Sequence, residues 1–247
     1  MRDTRLIMGM PITVEIVDDA PFRLMDDVYD FFISIDNRFS PYKPDSELSE
    51  YNRGDIATAG LSAEMLEILA LADRTRTETN GYFNLKRPDG LLDPSGIVKG
   101  WAVRKAARMI RAFGIQNFYV DAGGDIQTGG MNGNGEDWIV GIRNPFCEHE
   151  IVKAVIVREC GIATSGTYVR GQHIYNPYLP KKQIDDIISL TIIGPDVLEA
   201  DRFATAAFAM GEEGIYFIEE LQGIEGYIIN SSGVATQTSG FGEFVVS

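Results

Sequence analysis

Between Leu198 and Gly211 the chain reads Leu-Glu-Ala-Asp-Arg-Phe-Ala-Thr-Ala-Ala-Phe-Ala-Met-Gly. Ala, Phe and Met dominate, which predicts an apolar helix that expects burial. Its exceptions include a carboxylate, Asp201, and a hydroxyl, Thr205, four residues apart. That spacing sets both oxygens on one helix face, about one turn apart. A buried carboxylate is costly unless something positive meets it, and a hard divalent cation held by oxygen ligands meets that need. The plainer alternative is an acid that favours the helix dipole, with the threonine bonding back to its own backbone. On this stretch alone both stand.

The surrounding chain narrows the classes. With 247 residues, 45% of them hydrophobic, it suits one large domain or two small ones with an ample core. A net charge of -14 argues against nucleic acid or an anionic membrane surface as main partner. It also poses a problem: a phosphate-bearing ligand needs a metal ion or a local cluster of donors. Two cysteines, Cys147 and Cys160, are too few for a disulfide scaffold. No run of 18 apolar residues predicts a transmembrane helix. Met1 to Thr13 has no apolar core before a cleavage site and no lipid-acceptor cysteine. As written that predicts a cytoplasmic chain, or an exported one if a leader has been trimmed.

Moving outward from the helix, Ile12–Val17 alternates as a first strand, and Ala20–Phe39 carries apolar residues at helical spacing. Ser40–Asp55 reads as a polar loop with two prolines. Ser62 caps a helix to about Thr77 with Leu66, Leu69 and Leu71 as core candidates, and Asn80-Gly81 stops it. A Gly/Pro-containing loop from Leu91 to Lys99 precedes a helix through Trp101 and Ile110, ended by Gly114. Strands are expected near 117–120, 138–142, 151–157, 187–193, 227–230 and 234–238, with another short strand after a tight turn at 121–125 and a second late helix near 215–221. There is no linker or clear repeat, so the reading is one mixed α and β domain over 1–247.

Four polar, mostly glycine-containing segments carry the remaining chemistry. In Leu92-Asp93-Pro-Ser-Gly96-Ile-Val-Lys99-Gly100 the glycines allow close backbone approach, the following helix start offers N–H groups to an anion, and Lys99 can add charge. In Asp121-Ala-Gly123-Gly124-Asp125 the glycine backbone can lie against a flat ring or a diphosphate, or simply form a hairpin. Ala163-Thr-Ser165-Gly166-Thr-Tyr168 reads as a turn leading to His173-Ile-Tyr-Asn-Pro177. His173 there can serve as general base or, protonated, hold a phosphate. Phe39-Ser-Pro-Tyr42-Lys-Pro-Asp-Ser-Glu47 reads as a surface loop. A serine-nucleophile elbow, a zinc site, a P-loop and a Rossmann fingerprint all lack their spacings.

Taken in order, these segments resemble the ApbE family of flavin transferases, also known as thiamine-biosynthesis lipoproteins. The resemblance runs from Met8-Gly9 through Phe39-Ser40-x-Tyr42-x-x-Asp45-Ser46-Glu47 with Asn52, and Gly81-Tyr82-Phe83-Asn84. It continues in Asp93-x-x-Gly96-Ile97-x-Lys99-Gly100, Gly123-Gly124-Asp125 and Trp138-x-Val140-x-Ile142-x-x-Pro145. Ala163-Thr164-Ser165-Gly166, His173-Ile174-x-x-Pro177, Ala200-Asp201-x-x-x-Thr205 and Gly211 complete it. It implies an α+β fold with a largely antiparallel sheet and flanking helices.

The resemblance further implies cleavage of FAD between its phosphates with Mg²⁺ present. FMN then joins a Ser or Thr of a target flavoprotein through a phosphoester, and AMP leaves. By the same resemblance Asp201, Thr205 and the Gly96 carbonyl match metal ligands. Met8, Tyr42, Tyr82, Phe83, Asn84 and Asp93 match the FAD site, joined by Lys99, Gly123, Gly124, Ser165 and Gly166. His173 matches the histidine beside the diphosphate, giving Asp201 and His173 the catalytic roles. Asn84 stands where the family usually has Asp, Arg104 where an Asp often follows the Lys-Gly helix start, and Asn176 replaces the common Asp before Pro177. The stretch from Tyr168 to His173 is also short, implying a trimmed hairpin. The rival expectations are an FAD pyrophosphatase at the same site and a flavin-binding protein without catalysis.

Overall fold

The computed structural model describes residues 1–167 and 174–246. Strands β1 (Arg2–Ile7) and β2 (Met10–Ile16) form a hairpin, followed by helices α1 (Leu24–Phe39), α2 (Glu47–Arg53), α3 (Ala63–Glu78) and α4 (Ser95–Ala112). Strands β3 (Phe118–Ala122), β4 (Asp125–Gly129), β5 (Ile139–Asn144), β6 (Cys147–Ile156), β7 (Gly161–Gly166) and β8 (Ile187–Gly194) come next. Helices α5 (Val197–Ala209) and α6 (Gly214–Glu219) and strands β9 (Glu225–Asn230) and β10 (Ala235–Gln237) follow, and a 3-10 turn over Phe241–Phe244 comes last. An eight-stranded sheet runs β1-β2-β3-β4-β7-β8-β9-β10 with every neighbouring pair antiparallel, and β5-β6 is a separate hairpin.

Strand alternation decides which face each layer covers. On β2, Ile12, Val14 and Ile16 are buried and stand opposite Ala122, Val120 and Phe118 of β3; all six share one core with α1, α3 and α4. Further along the sheet, Ala163, Ile192 and Ile228 point to the α5 and α6 side, while Ile162, Ile193 and Ile229 point to the other. On that other face they meet Ile142 and Val155 of the β5-β6 hairpin. Helices therefore cover one face and the hairpin part of the other. This is the mixed, antiparallel fold with flanking helices that the resemblance implies.

Local readings differ in five places. Strand β1 is absent from the sequence reading because its charged residues Arg2, Asp3 and Arg5 belong to a solvated edge strand without an apolar face. Met8-Gly9 is consequently the hairpin turn after a strand, with φ of 56° and 72°. The 40–55 loop contains α2, whose start is held by Ser46 Oγ accepting the Ser49 N–H at 3.1 Å. Helix α4 begins at Ser95, so Gly96 and Lys99 lie within its first turns. On α3 the buried residues are Met65, Ile68, Ala72 and Thr75; Leu66 is exposed and Leu69 and Leu71 half-buried. The Thr/Ser/Gly-rich 163–166 segment is strand β7, not a turn. Its small residues suit a central strand on which α5 sits closely: a Cβ at Gly161 would lie 2.0 Å from the Val197 nitrogen.

Candidate functional site

Helices α4 and α5 bring the predicted metal ligands together through two glycines of α4. A Cβ on Gly100 would stand 2.7 Å from Asp201 Cβ and 2.8 Å from the Val197 carbonyl oxygen. Without that Cβ, the Gly100 N–H donates to Asp201 Oδ2 at 2.8 Å. One turn earlier, Gly96 leaves room for Thr205, whose Oγ1 donates to the Gly96 carbonyl at 3.3 Å. The Asp201 carboxyl and the Thr205 hydroxyl thus both turn from α5 toward α4. The threonine bonds across the helix pair rather than to its own backbone, which removes the plainer reading of this residue.

Asp201 is buried, and its carboxyl is held well above the usual aspartate range. Burial is the largest cause, and the neighbouring Asp125 charge adds to it; Lys99 and the Gly100 N–H pull the other way. Asp125 opens β4 with only 1% of its surface exposed, and its Oδ2 lies 2.8 Å from Lys99 Nζ. Its Oδ1 makes a long 3.4 Å contact with the Thr164 N–H.

These groups stand at a cleft of about 760 Å³ lined by Asp201, Thr205, Gly96 and Lys99. Tyr82, Phe83, Asn84, Asp93, Gly123, Gly124, Ser165 and Gly166 line it too, so the structure gathers most of the predicted site residues around one cavity. Several have local duties. Asp93 Oδ1 accepts the Ser95 N–H at 3.0 Å and fixes the start of α4. Asn84 Oδ1 accepts the Lys86 N–H at 2.9 Å. Phe83 is a buried core residue that reaches Gly96 from below. Gly123 and Gly124 take positive φ, 62° and 100°, in the β3-β4 turn, and no atom lies within 4 Å of where a Gly124 Cβ would be. Backbone there is open to a ligand.

Three predicted residues fall elsewhere. Met8 sits in the β1-β2 turn packed on the core, and its followers Gly9, Met10 and Pro11 line the cleft instead. Tyr42 is 92% exposed in a neighbouring depression of about 320 Å³. Arg87 lines both cavities. His173 lies outside the described residues.

The cleft also uses residues that sequence reasoning did not single out. Tyr119 and Asp121 of β3 face it, with Tyr119 Oη donating to Asp121 Oδ2 at 3.2 Å and the Gly124 N–H to Oδ1 at 2.7 Å. Burial raises the Asp121 carboxyl against those two bonds. Arg143 of β5 lines the hairpin side. The 174–178 segment is tied over the mouth by Tyr175 Oη donating to the Lys86 carbonyl at 2.5 Å and by Tyr178 Oη donating to the Asn80 carbonyl. The only signal for Asp121 and Asp125 was their place on either side of Gly-Gly.

The donor set suits a hard divalent cation. Carboxylate, hydroxyl and carbonyl oxygens converge, and the 3.3 Å between Thr205 Oγ1 and the Gly96 oxygen is close to the ~3 Å separating adjacent ligands of an octahedral ion with bonds near 2.1 Å. Among the described residues no three His, Cys, Asp or Glu side chains cluster to hold a metal without other ligands. Any cation here draws the rest of its shell from backbone, hydroxyl, water or ligand oxygens.

Fold and cleft define an antiparallel-sheet protein with an oxygen-lined, glycine-floored site between two helices and a strand turn. The chain belongs to the ApbE family, whose model matches residues 8–87 and 84–228. It is 31% identical to the FAD:protein FMN transferase of Escherichia coli K12 over 64% of this chain and 47% of that protein. The chain thus spans about half the length of that relative. With the Haemophilus influenzae protein of the same name it shares 24% identity over 94% of this chain and 87% of the relative. Among solved structures, the flavin transferase ApbE from Vibrio cholerae superposes with a TM-score of 0.86 at 23% identity, covering 99% of this chain and 98% of that one. The Thermotoga maritima ApbE protein gives 0.86 at 19% identity, covering 100% and 99%.

Proposed function

We propose that this chain is a Mg²⁺-dependent FAD:protein FMN transferase. The acceptor's Ser or Thr oxygen bonds to the FMN phosphorus, the bond to the AMP phosphate breaks, and the hydroxyl proton departs. Family membership and the activity named for its relatives support the reading. The observation that carries it is the meeting of the Gly96 carbonyl, the Asp201 carboxyl and the Thr205 hydroxyl in a cleft shared with Lys99.

Those three oxygens would hold Mg²⁺, which when bound neutralises phosphoryl oxygens as a Lewis acid. The remaining work belongs to the chain. Lys99 and the start of α4 favour a diphosphate, the Gly123-Gly124 backbone accommodates a flat ring or phosphate, and Asp93 holds the helix start in place. His173 is assigned to the acceptor proton or to phosphate charge. Transfer at phosphorus is mainly positioning plus charge neutralisation, so this set suffices without a covalent enzyme intermediate.

The test incubates the protein with FAD, Mg²⁺ and a flavoprotein domain bearing an acceptor Ser or Thr. Intact mass of the domain should rise by one FMN, with AMP released one for one. FMN and AMP without an adduct would identify a pyrophosphatase. Intact FAD would reduce the site to a binding pocket.

A further inference from the structure

The β5-β6 hairpin has two backbone edges, and the chain itself uses one of them. On β6 the Ala154 carbonyl accepts the Val246 N–H at 3.0 Å, and Val155 bridges to Val245. The other edge belongs to β5. Val157 donates its N–H to the Trp138 carbonyl at 2.9 Å, and these residues stand two places before the Val140–Val155 pair. That phase puts the ladder bonds at Val140 and turns the N–H and C=O groups of Ile139 and Gly141 away from β6. The outward Ala154 carbonyl, opposite Gly141, obeys the same phase. Among the described residues, no hydrogen bond from another element reaches the Ile139 or Gly141 backbone.

This free edge borders the cleft. Ile139, Val140, Gly141, Ile142 and Arg143 all line it. Side chains of a strand alternate between faces, so consecutive lining residues mean that β5 meets the cavity along its backbone. Trp138 anchors the strand there: its indole N–H donates to the Gly129 carbonyl at 3.1 Å, and its ring lies 5.3 Å from that of Tyr119. Other edges are guarded. Strand β1 carries Arg2, Asp3 and Arg5, β10 is three residues long, and β6 is covered by Val245 and Val246. Between Ile139 and Ile142, β5 has neither charge nor proline, and Ile139 is 61% exposed.

An unguarded, anchored edge beside a reaction cleft is a template for an extended chain. A flavin dinucleotide has no strand to add and water needs none, so the edge suits a protein substrate. We propose that the free edge of β5 receives the acceptor protein: the segment carrying its Ser or Thr pairs as an added strand with the Ile139 and Gly141 backbone, which brings the hydroxyl alongside the cleft. The inference rests on the transferase reading and adds how the acceptor is held.

Proline tests the edge, because it removes an N–H and is tolerated where that N–H faces away from the ladder. Transfer from FAD to an acceptor flavoprotein domain is followed by intact mass with wild type, Ile139→Pro and Ile139→Val. Ile139→Pro should raise the acceptor KM about tenfold or more, the scale of losing a main-chain bond and obstructing its neighbour, while the FAD KM moves less than about twofold. Ile139→Val keeps the N–H and should stay within about twofold of wild type in both. An acceptor KM unchanged by Ile139→Pro, or an FAD KM that rises equally, overturns the proposal. So does Ile139→Val matching Ile139→Pro, because the side chain then carries the effect. A wild-type dimer that Ile139→Pro dissociates in light scattering makes a second copy the occupant and overturns it too. Should Ile139→Pro fail to fold, amide hydrogen exchange on wild type decides. Saturating acceptor domain should slow exchange at Ile139 and Gly141 but not at Val140, already bonded in the ladder; unchanged rates at the first two overturn the pairing. If wild type attaches no FMN to the domain, the transferase reading falls and the inference with it. Adducts formed by wild type and Ile139→Pro at equal acceptor KM sink only the inference.

Discussion

A carboxyl like that of Asp201 has two states with different uses, and the pH dependence separates them. Metal-free, burial first and then the Asp125 charge raise its proton affinity in the folded protein. A carboxyl raised on folding contributes stability that is complete below the ordinary aspartate range and lost as pH climbs through the raised value. Asp201→Asn keeps an acceptor for the Gly100 N–H and removes this loss. In EDTA the variant's melting temperature should match wild type near pH 4 and exceed it increasingly toward pH 8; equal curves throughout would contradict the buried, protonated state. Saturating Mg²⁺ should reverse the order at pH 8, because only the ionised aspartate binds it. Asp201→Ala should lower Mg²⁺-dependent turnover of FAD more than ~100-fold, the scale on which losing one preorganised electrostatic group is felt. Flavin fluorescence quenching should report binding still within a fewfold of wild type.

At the scale of elements, the contact between α4 and α5 decides whether these side chains meet. Gly100 and Gly96 differ in what a methyl would strike. At Gly100 it meets the Val197 carbonyl and Asp201 Cβ, neither of which can rotate away. Gly100→Ala should therefore cost about 1–3 kcal/mol in urea unfolding, as overpacking does, and weaken cation binding with it. At Gly96 the methyl meets Thr205 Cγ2 at 2.9 Å and Oγ1 at 3.2 Å, the end of a movable side chain. Gly96→Ala should lose less stability while still displacing the hydroxyl, so its cation affinity falls out of proportion to its unfolding energy. Parallel changes in both measures for both variants would refute the distinction.

Elements also show what was legible in the chain. Helix α5 and strands β2 and β8 declare themselves because their apolar periodicity coincides with burial on one or both faces. Strand β1 and helix α2 carry charge on a solvated edge or a short surface turn, where composition is indifferent to structure. Strand β7 misleads in the opposite sense: its small residues belong to a strand, where Gly161 leaves no room for a Cβ beneath α5 and Ser165 and Gly166 line the cleft. The site followed the same division. Asp201, Thr205 and the glycine loops were readable as anomalies of pattern. Asp125 and Asp121 sat inside strands, and only the sheet register and the packing around them disclose that one pairs with Lys99 and the other faces the cleft.

For the whole molecule, the proposed function requires a chain of net charge -14 to hold a dianionic diphosphate. Locally the balance is modest, with Asp93, Asp121, Asp201 and the neighbouring Asp125 against Arg87, Lys99 and Arg143. Farther charges act through solvent and are screened over a Debye length of about 10 Å at 0.1 M salt. At low salt the acidic surface enriches divalent cations around the protein, and the same surface opposes the free flavin dinucleotide. Cation affinity and FAD affinity should consequently move in opposite directions with ionic strength. Raising NaCl from 20 to 200 mM should weaken Mn²⁺ binding severalfold. FAD binding measured in EDTA should hold steady or tighten. Choline chloride should reproduce both trends, since screening is indifferent to the salt's identity. If FAD binding instead weakens with salt as the cation does, short-range pairing with cleft cations such as Lys99 and Arg143 outweighs the distant field, and the metal is not what would reconcile this acidic chain with the phosphate ligand of the proposed function.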